Sequence, residues 1–154
     1  MATRIASVAS TIVAALLVSA CVFTPLASSQ QDTLAKEFVT HPEASTIYVY
    51  RSRFNHHDTD TVLYLDGRVI GATQPGSFFR IDTTPDDHTL HGTGSDVGEL
   101  MLRTRPGQLY FVSVEVIGGH SKYTVVPDEL GRERVRACCA LLEHWMPQRP
   151  YVLR

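Results

Sequence analysis

The sequence predicts a mainly β protein, a small antiparallel β-sandwich of about seven or eight short strands with one C-terminal helix. Three observations lead there. Short apolar runs recur between residues 46 and 126. Asp-Gly and Pro-Gly pairs stand between several of them. After Pro127 the apolar period changes from two to about 3.6.

The first strand is expected over 46–51 (TIYVYR), where Ile47 and Val49 alternate with Tyr48 and Tyr50. Runs at 61–65 and 68–72 flank Asp66-Gly67. An Asp-Gly pair between apolar runs signals a tight hairpin, because both central positions of that turn need positive φ. The run 77–82 follows Pro75-Gly76, and 88–91 follows Pro85-Asp86-Asp87. The runs 99–104 and 108–116 flank Pro106-Gly107, and in the second of them Tyr110, Val112, Val114 and Val116 share one face. Residues 122–126 supply one more run. Asp128 then stands where a helix N-cap is expected. Val135, Cys138, Cys139 and Leu142 follow at i, i+3, i+4 and i+7, one helical face. The β domain with its helix is expected over 46–144. Residues 145–154, with Pro147 and Pro150, read as a loose tail.

The N-terminus has a different composition. Arg4 precedes an uncharged run from Ile5 to Ala20, apolar at its centre and small at its end, the pattern of a secretory signal. The run ends in Val18-Ser19-Ala20-Cys21. An aliphatic residue, two small ones and a cysteine resemble the bacterial lipobox. That resemblance implies cleavage after residue 20 and a diacylglyceryl group on the Cys21 sulfur. Two acyl chains suffice for stable anchoring at about 0.8 kcal/mol per buried methylene. The rival is a spanning helix over 5–23, which is uncharged and just long enough, but rich in Ala, Ser and Thr. Val22 rather than an acid follows Cys21, which leans toward an outer-membrane destination facing the periplasm. Residues 21–45, with Ser28, Ser29, Gln30 and Gln31, read as a lipidated N-terminus and polar tether, with a short helical turn over 35–38.

Net charge is −2, and removal of Arg4 with the signal leaves −3 (13 basic against 16 acidic residues). Arg132, Arg134 and Arg136 are interrupted by Glu133 and read as a solvated helix face. No basic stripe suggests nucleic acid.

Taken in order, Ala35-Lys36-Glu37-Phe38, Ile47-Tyr48-Val49-Tyr50-Arg51, Leu65-Asp66-Gly67 with Ile70-Gly71, Phe78-Phe79, His88-Thr89-Leu90 and Gly107 with Tyr110-Phe111-Val112 form a series. The series resembles the bacterial lipoproteins catalogued as domain of unknown function 2846, over residues 35–142. That resemblance implies a lipid-anchored envelope setting and supplies no catalytic residues. One departure is visible: Pro85-Asp86-Asp87 stands where the family tends to have Pro-Gly. A coarser likeness, at the level of architecture only, is to PEGA-type envelope β modules.

Candidate chemistry is sparse. His56, His57, Asp58 and Asp60 gather in the loop after the first strand and carry imidazole and carboxylate groups suited to zinc or copper. Their spacing matches no specific ligand pattern, and a solvated polar loop explains them as well. His88 and His91 would point to opposite faces of a strand, where exposed histidines are expected. Cys138 and Cys139 would be buried thiols, since adjacent helical positions diverge by about 100°. The alternative for them is an intermolecular disulfide through whichever faces solvent. Gly92-x-Gly94-x-x-x-Gly98 has no following helix and reads as a loop rather than a phosphate cradle. The carboxylates of Asp82, Asp86 and Asp87 near Pro85 read as solvated turn residues. No nucleophile, base and orienter stand at a recognisable spacing, and no cofactor motif occurs. The expectation is a non-enzymatic envelope module that binds a protein or glycan partner; the alternative is a periplasmic metal-binding protein that uses the His56-His57 loop.

Overall fold

The computed structural model describes residues 23–52, 60–93 and 98–148. They form two sheets packed face to face. The elements are α1 (Ser29–Ala35), β1 (Ser45–Arg51), β2 (Thr61–Leu65), β3 (Arg68–Thr73), β4 (Ser77–Thr83), β5 (Asp87–His91), β6 (Glu99–Arg103), β7 (Leu109–Ile117), β8 (His120–Val126), α2 (Asp128–Cys138) and β9 (Ala140–Leu141). One sheet runs β8-β7-β1-β4-β9 and the other β3-β2-β5-β6. The expected β-sandwich with a C-terminal helix is the fold of the chain.

Its pairing differs from the expectation in one respect. The sandwich is not wholly antiparallel: β1 pairs in parallel with β7, Ile47 opposite Tyr110, and β4 pairs in parallel with β9. Parallel neighbours need long crossovers, here through the whole second sheet, so no local turn announces them.

The hairpin turns follow their chemistry. Asp66 and Gly67 have φ of 52° and 72°, which an Asp-Gly turn requires. Gly118 and Gly119 turn β7 into β8 in the same way.

Two apolar layers result. Between the sheets lie Ile47, Val49, Leu63, Leu65, Phe79, Ile81, Leu90, Val112, Val114 and Val116. On the outer side of the five-stranded sheet lie Tyr48, Tyr50, Phe78 and Phe111, roofed by Ala35 and Phe38 from the α1 segment and Val135 from α2. Tyr48 stacks on Phe111 at 5.0 Å. Gly131 is the closest approach of α2: a Cβ there would run into the Phe111 ring. The three arginines of α2 are not simply solvated. Arg136 and Arg132 lie over the Phe38 ring at 4.7 and 5.1 Å, and Arg134 reaches the Tyr50 hydroxyl.

Several expectations for the ends of the domain are corrected. Residues 23–44 are not a tether. Thr24, Ala35, Phe38 and Ala44 are buried, and α1 begins with a reciprocal capping box between Ser28 and Gln31. The helix precedes residues 36–38 instead of occupying them. Asp128 is the first helical residue, not the cap; its carboxylate pairs with Arg132. Helix α2 ends at Cys138, so the expected face does not continue: Leu142 lies beyond it and enters the core between the sheets. Of the expected loose tail, residues 145–148 are described and are not loose, since Trp145 N donates to Ile70 O at 2.8 Å and Gln148 Nε2 to Arg80 O at 2.9 Å.

Candidate functional site

The site begins with strand alternation. Phe78, Arg80 and Asp82 of β4 project to the outer side of the five-stranded sheet, opposite Tyr50, Tyr48 and Thr46 of β1. Phe78 is covered by Lys36, whose Nζ sits 5.7 Å from the ring centre. Arg80 and Asp82 form the floor of an open cleft of about 530 Å³. Gln31 and Leu34 of α1 form one wall, and Glu143, His144, Pro147 and Gln148 the other.

Each wall is fixed by named contacts. Asp32 holds α1 to β9, its carboxylate accepting from Leu141 N at 2.8 Å and pairing with Lys36 at 2.8 Å. The far wall is fixed by His144. Its Nε2 donates to Arg80 O at 2.9 Å, and its ring meets Phe79 edge-on at 5.7 Å. Burial lowers the His144 pKa, against the opposing pull of the Arg80 carbonyl bond. The neutral ring therefore keeps its proton on Nε2.

The floor is interlocked. Asp82 accepts from Thr46 at 2.7 Å and from Arg80 Nε at 3.3 Å. Thr46 meets Thr40 at 3.0 Å, and Arg80 also donates to Val39 O at 2.9 Å. These groups satisfy one another, so the floor is held by its own hydrogen bonds. Asp82 is thus an ion-paired member of the floor rather than a solvated turn carboxylate.

The expected site residues are placed differently. Cys21 lies outside the described residues, as do His56, His57 and Asp58. Asp60 is described, and its carboxylate stands 3.8 Å from Arg51 Nη1. Among the described residues no three His, Cys, Asp or Glu side chains gather as a metal site. Of the glycine-spaced loop, Gly94 is likewise outside the described residues.

His88 is buried, a correction to the exposed residue expected. Its Nδ1 meets Asp66 Oδ2 at 2.7 Å and its Nε2 meets Thr84 O at 2.8 Å. Asp66 Oδ1 accepts from Thr89 N at 2.8 Å. The Asp66-Gly67 turn and the His88-Thr89-Leu90 strand are therefore one clamp. His91 points to the opposite side as expected and stacks on Tyr64 at 5.0 Å.

Cys138 and Cys139 are not thiols: they are joined to each other in a vicinal disulfide. The helical 100° argument fails because α2 stops between them. Cys139 has φ −127° and ψ 142°, already extended.

Sequence reasoning missed Arg80, His144, Gln31 and Gln148. A Ser-x-x-Gln signature at Ser28–Gln31 was the available signal for an ordered α1. Nothing local marked the others, since the cleft joins three distant segments.

Comparison with known proteins adds little to this geometry. The chain is 29% identical over 143 residues to an uncharacterised protein of Haemophilus influenzae, covering 88% of this chain and 84% of that protein. No family model matches. No solved structure matches either.

Proposed function

We propose that the protein is an exported lipoprotein, anchored through Cys21, whose β-sandwich is a non-enzymatic binding module of the cell envelope. Its partner, a protein or a glycan, is taken in the cleft between α1 and residues 143–148. The observation that carries the binding reading is the cleft itself. Its floor of Arg80 and Asp82 is paired internally and with buried Thr46 beneath it, and its walls mix the apolar Leu34 and Pro147 with the polar Gln31, Glu143 and Gln148. Such a surface recognises by shape and hydrogen bonds. The Val18-Ser19-Ala20-Cys21 run supports the anchor, and Val22 supports an outer-membrane location facing the periplasm.

Photo-crosslinking from position 34 or 148 in living cells tests the module. One partner, recovered at near-equal abundance and lost in an Arg80→Ala or Leu34→Asp variant, is the expected result. Absence of any cleft-dependent crosslink across growth conditions would overturn it. Radiolabelled fatty acid tests the anchor, which requires that the label disappear in Cys21→Ala.

A further inference from the structure

The first residues of the described chain are already locked into the domain. Thr24 is fully buried. Its hydroxyl accepts from Ala72 N at 2.8 Å, and its carbonyl accepts from Gln74 Nε2 at 2.9 Å. Pro25 O accepts from Glu143 N, and Ala27 N donates to Leu141 O, both at 2.9 Å. Leu26 bridges Leu142 in the antiparallel sense.

Three residue steps separate Cys21 from Thr24. An extended chain covers at most about 3.6 Å per residue, so their Cα atoms lie within about 11 Å of each other. An anchor at Cys21 leaves no length for a tether. Thr24 is bonded to Ala72 and Trp145 to Ile70, close neighbours on β3, so Phe23 and Met146 each adjoin a residue docked on that strand. Phe23, Leu26 and Met146 are large apolar residues with more than half of their surface exposed (61, 56 and 53%). Trp145 is half-buried beside them in the chain, and indole favours the water–lipid boundary.

Resting on the reading of Cys21 as lipidated, we propose that the domain sits directly on the bilayer, with Phe23, Leu26, Trp145 and Met146 in contact with lipid. The occupant of this apolar end is the membrane surface, because the anchor holds the surface within reach of these side chains. The cleft shares Ala27, His144 and Pro147 with the same segments, so its partner is met close to the membrane.

Trp145 is the only tryptophan in the chain, which makes it an intrinsic probe. The mature lipoprotein is reconstituted into vesicles of phosphatidylethanolamine and phosphatidylglycerol, with or without brominated acyl chains. Brominated lipid is expected to lower Trp145 emission by about half, with iodide quenching weaker than in detergent. Inserting about twenty Gly/Ser residues before Phe23, together with Phe23→Ser and Leu26→Ser, is expected to abolish the bromine effect. Protein that floats with the vesicles yet shows no bromine quenching overturns the seating and leaves the anchor standing. Loss of iodide quenching without bromine quenching also overturns it, since a second copy or another protein then covers this end. Failure to float overturns the anchor reading and the seating with it.

Discussion

The two sheets differ in what covers their outer faces. The five-stranded sheet carries α1 and α2, and every residue of β1 is buried. Among the described residues the four-stranded sheet carries no helix, and β2 alternates between buried and half-buried positions. On its open side Tyr64 and His91 stack in partial exposure, and Met101 is 75% exposed. Both strands have alternating sequences, so alternation alone does not tell one-sided burial from two-sided. What decides is whether the polar tips of the second side find partners. Tyr48 shows how: its hydroxyl donates to Ala35 O at 2.6 Å, and burial pushes its pKa up to about 12. The phenol stays neutral and bonded beneath α1.

The largest test of this difference is Phe111→Ala, which removes the ring packed against Gly131, Tyr48 and Phe38. A loss of about 3–5 kcal/mol is expected in urea unfolding. A loss below about 1 kcal/mol would mean that the helical roof adds little. Next comes the clamp at the rim of the open sheet. Asp66→Ala leaves buried His88 and Thr89 N without their carboxylate, and should cost about 1–3 kcal/mol. Asp66→Asn, which retains the turn and one acceptor, should cost less.

A smaller effect is expected from pH. The folded-state pKa of His144 is lowered, so the unfolded chain takes up a proton first. The stability this group contributes is complete above its ordinary value of 6.5 and is lost as pH falls through that value toward the lowered one. Thermal unfolding compared at about pH 8 and pH 5 should show a smaller acid drop in His144→Gln than in the parent protein. An equal drop would remove His144 as a cause. The smallest change is expected on the uncovered side: Met101→Ser should alter stability by no more than about 0.5 kcal/mol. A larger loss would show that the open face is covered by something that unfolding also removes.

Local chemistry was readable wherever a signal sat in consecutive residues. The Asp66-Gly67 turn, the one-sided run of Val112, Val114 and Val116, and the break at Pro127 all announce their geometry. The parallel pairing of Ile47 with Tyr110 joins residues that no turn connects. Helix α1 has seven residues, too few to be stable alone, so its existence depends on docking by Asp32 and Ala35. Polar composition there suggested a tether because the capping box was read as solvation. A continuous helix argues against the vicinal disulfide for a related reason: its geometry depends on where α2 ends, and helix ends are the least legible feature of a sequence. The cleft was beyond reach, since Gln31, Arg80 and His144 come from segments that meet only after both sheets have paired.

The latch between residues 23–27 and residues 141–143 also sets an order in time. Its partners are as much as 118 residues apart along the chain where Pro25 meets Glu143 (143 − 25), so the closing step waits for the most distant contacts. A chain supplied from its N-terminus delivers residues 140–148 late. Until they emerge, Phe78 O has no Leu142 to receive, Pro25 O no Glu143, and the edge of β4 stays open. The edge of β4 therefore closes only when residues 140–142 are in place, so this seam is the last part of the described fold to be completed.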